Sequence, residues 1–170
     1  MLIYLLGYMG CGKTTIGKML AEKLDIEYFD TDAVIQHKSG ISIQEIFKNQ
    51  GEKLFRNWEQ IVLQETLLKY KCIISTGGGL PCYNDNVKWI NKYGKSVYLK
   101  TSSNILANRL KDNTYFRPLL ADKNNIELED FIEEHIKQRN HFYEKATFTV
   151  LTDNLSPEQI CEEIKFKLHL

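Results

Sequence analysis

Gly7-Tyr8-Met9-Gly10-Cys11-Gly12-Lys13-Thr14 fits the pattern G-x-x-x-x-G-K-[ST]. The apolar run Leu2-Ile3-Tyr4-Leu5-Leu6 precedes it, and Ile16, Met19, Leu20 and Leu24 follow at helical spacing. Strand, glycine loop and helix is the order in which successive backbone N–H groups converge on one anion. The helix N-terminus adds its partial positive charge. In such a loop Lys13 reaches the β- and γ-phosphates, and the Thr14 hydroxyl can ligate Mg²⁺. The stretch predicts a nucleoside triphosphate site within an α/β fold. It does not say what receives the γ-phosphate.

The rest of the composition narrows the class. A chain of 170 residues suits one domain with a full-sized core, so residues 1–170 are read as a single domain. A formal net charge of zero argues against a nucleic-acid or membrane surface as the main partner. No apolar run approaches membrane-spanning length, and the apolar start is short, lacks a basic n-region and serves as the first strand. Cys11, Cys72, Cys82 and Cys161 show no C-x-x-C spacing, so neither zinc nor a redox dithiol is signalled. The expectation is a cytoplasmic monomer, with Cys72 and Cys161 as buried thiols.

Along the chain, strands alternate with helices. The first helix ends near Leu24-Asp25, and Ile26–Phe29 reads as a short strand with Asp30-Thr31-Asp32 at its C-terminal end. A short helix runs from Ala33 to Ser39 and stops at Gly40. Ser42-Ile43-Gln44-Glu45 is a capping box that starts another, broken at Gly51. Glu52 to Tyr70 reads as a long helix buried on two faces. Phe55, Trp58, Ile61, Val62 and Leu68 form one stripe, and Leu63 and Leu67 the other, with Arg56 in phase with the second. Cys72–Ser75 is a buried strand leading through Thr76 to Gly77-Gly78-Gly79. Asn84 is placed to cap a helix that ends at Gly94.

Ser96–Leu99 is the fourth strand, and Ser102 or Ser103 begins the next helix. Asp112 to Asn125, the one long stretch without periodicity, reads as a mobile loop. A helix follows from about Glu127 to Lys145, and Phe148–Leu151 is the fifth strand. Ser156-Pro157-Glu158-Gln159 starts a last helix with Ile160, Ile164, Phe166 and Leu168 on its apolar side. The pattern predicts a doubly wound α/β/α sandwich with a parallel sheet.

The strand at 72–75 ends in Ser75-Thr76, without the acid that commonly helps hold Mg²⁺ in such proteins. Asp30 and Asp32, at a strand end, are the best-placed substitutes; Asp153 is a weaker one. On an extended segment, acids at i and i+2 point the same way, so one can attend the metal while the other meets the acceptor. The competing reading is a turn that caps the next helix, for which Asp is favoured.

Arginine is scarce: 18 of the 22 basic residues are lysine, which leaves Arg56, Arg109, Arg117 and Arg139. A planar fork that grips carboxylate or phosphate at two points is a reason to use arginine. Arg139 falls on an apolar stripe with His135, Ile136 and Phe142, where a guanidinium needs an anion, either a buried Glu or a ligand. Arg56 either serves a ligand or pairs on the surface with Glu52 or Glu59. Gly77–Gly79 is either a flexible turn or bare backbone that reads ligand hydroxyls. Arg117 resembles an arginine finger that closes over the γ-phosphate, and Arg109 is placed to stack on a base. Both have the alternative of a solvated surface charge. Cys11 sits among N–H groups that favour a thiolate, so it is expected to react with alkylating agents.

Gly7–Thr14, Phe29-Asp30-Thr31-Asp32, Phe55-Arg56, Gly77–Gly79, Arg117-Pro118-Leu119-Leu120, Arg139 and the turn before Pro157 together resemble the shikimate kinases. These belong to the nucleoside-monophosphate-kinase-like group of phosphate-loop folds, and the resemblance covers nearly the whole chain. It implies strand order 2-3-1-4-5 and ATP-dependent phosphorylation of the shikimate 3-hydroxyl. Gly7, Gly10, Cys11, Gly12, Lys13, Thr14 and Thr15 would bind ATP, with Arg109, Arg117 and the Asn154–Pro157 turn. Thr14 and Asp30 would support Mg²⁺. Lys13, Asp32 and Arg117 would carry catalysis. Arg56 and Arg139 would grip the shikimate carboxylate, Gly77–Gly79 would meet its hydroxyls, and Ile43, Phe47 and Phe55 would line its pocket. The acceptor-binding segment would span about residues 32–60 and the lid about 112–125.

Two other readings stay open at this point. One is a kinase of the same fold for gluconate or a nucleoside monophosphate. The other is a nucleotide switch or an inactive partner-binding relative. Asn91-Lys92-Tyr93-Gly94 lacks the acid of a guanine signature, and every catalytic position of the resemblance is filled, which weighs against the last.

Overall fold

The computed structural model describes residues 1–111 and 125–170, with side chains from 127 onward in the second stretch. The predicted lid up to residue 124, with Arg117, therefore lies outside the described residues. The elements are β1 (Leu2–Leu6), α1 (Lys13–Leu24), β2 (Glu27–Asp30), α2 (Thr31–Ser39), α3 (Ile43–Glu65), β3 (Cys72–Ser75), α4 (Asn86–Tyr93), β4 (Lys95–Lys100), α5 (Ser103–Leu110), α6 (Asn125–Tyr143), β5 (Phe148–Leu151) and α7 (Pro157–Leu168).

The five strands form one parallel sheet in the order β2-β3-β1-β4-β5. Burial on both faces explains why β1 is an unbroken apolar run. Ile3 and Leu5 join a core layer with Ile16 and Leu20 of α1, Leu106 of α5, Ile132 of α6 and Ile160 of α7. Leu2, Tyr4 and Leu6 face the other layer, against Leu63 of α3, Val87 and Ile90 of α4 and Tyr143 of α6. A third cluster, Ile35, Ile46, Phe55 and Val62, ties α2 to α3. Cys72 and Cys161 are buried thiols, as expected.

Register sets the functional rim. Asp30 pairs with Ser75 and Leu5 with Ser75 as well, so β1, β2 and β3 end at one level. The loops after all three meet there, outside the carboxyl ends of the strands.

Local chemistry explains most boundaries. Ser42 and Glu45, and Ser156 and Gln159, form complete capping boxes at the starts of α3 and α7. Gly51 interrupts α3 at φ +80°, which few other residues adopt without strain.

Three expectations are corrected. The α-helix predicted to Tyr70 stops at Glu65, and Ile61, Leu67 and Leu68 are exposed rather than core. Phe166 is likewise exposed on α7. Asn84 does not cap α4: it and Asp85 both have positive φ, and Asp85 is the N-cap residue, without a side-chain bond. For the exposed apolar residues the spacing was right for a core stripe, but burial is decided by what packs against them, which spacing along the chain does not carry.

Candidate active site

Two cavities share the rim. One, of about 610 Å³, is lined by the glycine loop, Lys13, Thr14, Thr15, Asp30, Ser75 and Arg109. The other, of about 460 Å³, is lined by Ile43, Phe47, Phe55, Arg56, Glu59, Gly77, Gly79 and Arg139. Met9, Asp32 and Gly78 line both. Both volumes suit a small ligand.

The first cavity is built around the glycine loop. Gly10 and Gly12 take φ +82° and +101°, and the curl they allow leads directly into α1. Lys13 is buried, its Nζ donating to the carbonyls of Gly7 at 2.8 Å and Tyr8 at 2.9 Å. Asp30 has divided duties. Its Oδ1 accepts from the N–H groups of Asp32 and Ala33 and so caps α2, while Oδ2 accepts from Thr14 Oγ1 at 3.2 Å and Tyr28 Oη at 3.1 Å. Capping and the predicted link to Thr14 therefore coexist in one carboxylate. Arg109 donates to Gly10 O at 3.3 Å on the opposite wall.

Other predicted members stand differently. Gly7 and Cys11 do not line the cavity. A Cβ on Gly7 would lie 2.8 Å from Cys11 Sγ, and Cys11 is only 1% exposed. The expected reactive thiol is thus shielded beneath the loop. Asn154 and Pro157 are exposed and outside the lining, where Pro157 opens α7. Asp153 accepts from Ser102 N at 2.9 Å at the start of α5, so it is not placed to serve a metal.

The second cavity is made of side chains. Asp32 is already in the first turn of α2, so the two acids do not share an extended segment as expected; Asp30 ends the strand and Asp32 begins the helix. Arg56 pairs with both of its predicted partners. Glu52 Oε1 accepts from Nη2 at 2.8 Å and Nε at 3.2 Å, and Glu59 Oε2 accepts from Nη1 at 2.6 Å. The pair is not a surface one, because Glu59 is 1% exposed. The same arginine leaves its two acids in opposite conditions. Bonds from Arg56 and Tyr83 hold Glu52 below the usual carboxylate range, whereas burial pushes Glu59 up to about 7 against the pull of Arg56. Arg139 is buried on α6, over the Tyr8 ring, and no carboxylate lies within ion-pair distance of it among the described residues. Burial and Arg139 lower His135 to about 4, so its ring is neutral beside the Tyr8 hydroxyl at 3.0 Å.

Gly77–Gly79 line the cavity, and two of them also make room for neighbouring side chains. None of the three has positive φ. A Cβ on Gly77 would lie 2.5 Å from Asp32 Oδ1, and one on Gly79 would lie 2.7 Å from Arg56 Nη1. The glycines make room for the acid and the guanidinium. Their carbonyls accept internal bonds, from Leu80 N, Tyr143 Oη and Cys82 N in turn.

Glu59 and Tyr83 were not legible as site residues. Glu59 showed only helical phase with Arg56, and Tyr83, whose ring lies 3.9 Å from the Arg56 guanidinium carbon, carried no signal at all.

The family model for shikimate kinase matches residues 9–169. A shikimate kinase of Azobacteroides pseudotrichonymphae is 40% identical over 167 residues, 98% of each chain. A crystal structure of shikimate kinase from Bacteroides thetaiotaomicron matches with TM-score 0.92 and 36% identity, over 99% of this chain and 98% of that one. Shikimate kinase from Acinetobacter baumannii in complex with shikimate matches with TM-score 0.90 and 34% identity, over 99% and 93%.

Proposed function

This chain belongs to the shikimate kinase family, and from that premise we propose how its two cavities divide the reaction. The activity is ATP-dependent phosphorylation of shikimate, a step towards chorismate and the aromatic amino acids. In this reading the loop cavity takes ATP, the side-chain cavity takes shikimate, and the 3-hydroxyl attacks the γ-phosphate across their junction. The observation that carries it is that Asp32 belongs to the lining of both cavities.

Phosphoryl transfer passes through a loose transition state, so positioning and charge neutralisation are the main tasks. Asp32 aligns the attacking hydroxyl and takes its proton late. Lys13 reaches the β- and γ-phosphates by exchanging its carbonyl partners for phosphate oxygens. Arg109 flanks the base, and Arg117, from the lid, meets the charge that builds on the γ-phosphate. Thr14 and Asp30 are hard oxygen donors already joined at 3.2 Å, a set that suits Mg²⁺ with its remaining ligands drawn from phosphate and water. Bound there, Mg²⁺ would neutralise phosphate charge. Arg139, buried with no carboxylate within ion-pair distance among the described residues, suits a ligand carboxylate, and Arg56 presents a second guanidinium to the same cavity. Among the described residues no helix is long and apolar enough to cross a membrane. We read the enzyme as a single-domain cytoplasmic monomer.

A coupled ADP-release assay over shikimate, gluconate and nucleoside monophosphates tests the acceptor. ADP release with Mg-ATP should depend on shikimate. Release that depends on gluconate and not on shikimate would overturn the assignment.

A further inference from the structure

We propose that Tyr83 is a positioning residue of the acceptor site, acting through Arg56. The inference rests on the reading that Arg56 grips the acceptor carboxylate.

A guanidinium has five N–H donors in a fixed plane, and an arginine on a helix has several rotamers in which to carry them. Arg56 is held at three points. Glu52 accepts from Nε and Nη2, and buried Glu59 accepts from Nη1. Tyr83 supplies the third, its ring centroid 3.9 Å from the guanidinium carbon, closer than Phe55 at 5.2 Å or Phe47 at 6.0 Å.

Tyr83 also acts on one of the other two anchors. Its hydroxyl donates to Glu52 Oε1 at 2.9 Å, the same oxygen that receives Nε and Nη2 of Arg56. Glu52 is a half-exposed side chain, 53% accessible, which in solvent would have little reason to keep one geometry. The tyrosine thus fixes the plane of the guanidinium directly and its edge through Glu52. Nη1 and Nη2 each keep one N–H beyond those given to Glu59 and Glu52, and a Cβ on Gly79 would crowd this Nη1–Nη2 edge, 2.7 Å and 3.0 Å from the two nitrogens. Gly79 lines the acceptor cavity, so this edge is the one offered to the ligand.

The position of Tyr83 suits this part. It is the C-cap of the short 3-10 turn Leu80–Cys82, whose N-cap is Gly79, so one hydrogen-bonded turn joins the triglycine segment to the tyrosine. Tyr83 is 37% exposed and belongs to none of the core clusters, so its replacement should leave the fold intact.

The test is steady-state kinetics on Tyr83→Leu, Tyr83→Phe, Arg56→Ala and the double variant Tyr83→Leu/Arg56→Ala, with thermal melts alongside. Tyr83→Leu should raise the shikimate KM about five- to tenfold, the effect of losing a partly desolvated cation–π contact and its linked hydrogen bond. The kcat and the ATP KM should stay within about twofold, because the loop cavity is untouched. Tyr83→Phe keeps the ring and should recover most of the loss. In the Arg56→Ala background Tyr83→Leu should no longer change kcat/KM for shikimate, the signature of action through Arg56.

An unchanged KM in Tyr83→Leu, or an undiminished effect in the Arg56→Ala background, would overturn the inference. If Arg56→Ala itself leaves the shikimate KM unchanged, the assignment of Arg56 fails instead.

Discussion

The two cavities meet at Asp32 but are built in different ways. The nucleotide side is built on one short stretch of chain, Gly10 and Gly12 to Thr15, with Asp30, Ser75 and Arg109 as its outlying walls. The acceptor side draws side chains from α2, α3 and α6 and sets them against the backbone of the glycine segment after β3. Backbone N–H groups are supplied by any residue that adopts the turn, so such a site survives on a short motif. A side-chain site depends on several helices arriving at the right phase, and each of its members is held by neighbours far away in sequence. The contrast between Cys11 and Arg56 follows from this. Cys11 lies in the motif yet is sealed beneath it, whereas Arg56 sits in an ordinary helix and lines a cavity.

The division into a donor half and an acceptor half can be broken most directly at the junction. Asp32→Asn should lower kcat by about 10²–10⁴-fold, the usual contribution of a positioned base, with ATP affinity retained. Turnover from ADP release and ATP binding by calorimetry check this. Loss of ATP affinity in parallel would show that Asp32 belongs to the nucleotide side alone.

A smaller effect is expected at Gly79. Gly79→Ala puts a Cβ 2.7 Å from Arg56 Nη1 and must displace that side chain. Shikimate KM should rise about tenfold or more, and ATP KM should hold, since the displaced group serves only the acceptor. Equal changes in both KM values would mean that the segment moves the glycine loop as well, through the close approach of Gly78 to Met9 N.

The third prediction separates the two acids of Arg56 by pH. Folding raises Glu59 from 4.5 to about 7, so the native state holds its proton more tightly than the unfolded chain does. Its contribution therefore makes unfolding free energy fall as pH rises from about 4.5 to about 7, by an amount on the order of 3 kcal/mol. Glu52 is shifted the other way, so its smaller, solvent-screened contribution is present above the usual carboxylate range and is lost on acidification. Denaturant melts across this window should show a falling limb in the parent that Glu59→Gln removes and Glu52→Gln leaves. A limb that persists in Glu59→Gln would place its origin elsewhere.

The smallest effect is expected at Cys11. Being 1% exposed, it should resist a maleimide on the timescale that modifies the more accessible Cys82. Mass-spectrometric mapping of the adduct checks this, and rapid labelling of Cys11 would mean that the glycine loop opens readily.

Much of the sheet was legible in advance for one physical reason. A strand buried on both faces must be apolar throughout, and a glycine loop between such a strand and a helix is a local pattern. The capping boxes at Ser42 and Ser156 were equally local, and both formed. Where the reading failed, local chemistry met a tertiary question. Ile61, Leu67, Leu68 and Phe166 have the right spacing for a core, but no element among the described residues covers them. Gly77–Gly79 were visible as a flexible segment, but the crowding that leaves no room for a Cβ, by Asp32 at Gly77 and by Arg56 at Gly79, needed three distant elements in place.

By itself, the sequence determined the donor loop, the parallel α/β class and a short set of scarce arginines, because backbone curvature, periodicity and residue type act over a few neighbouring positions. Only the tertiary structure decided the rest. It buried Glu59 and left Glu52 in solvent on the same helix, although seven positions, about two turns, set them on one side of it. It also brought Tyr83, 27 positions beyond Arg56 in the numbering, onto the guanidinium face. Burial and convergence are properties of what packs against a residue, and no pattern along the chain carries them.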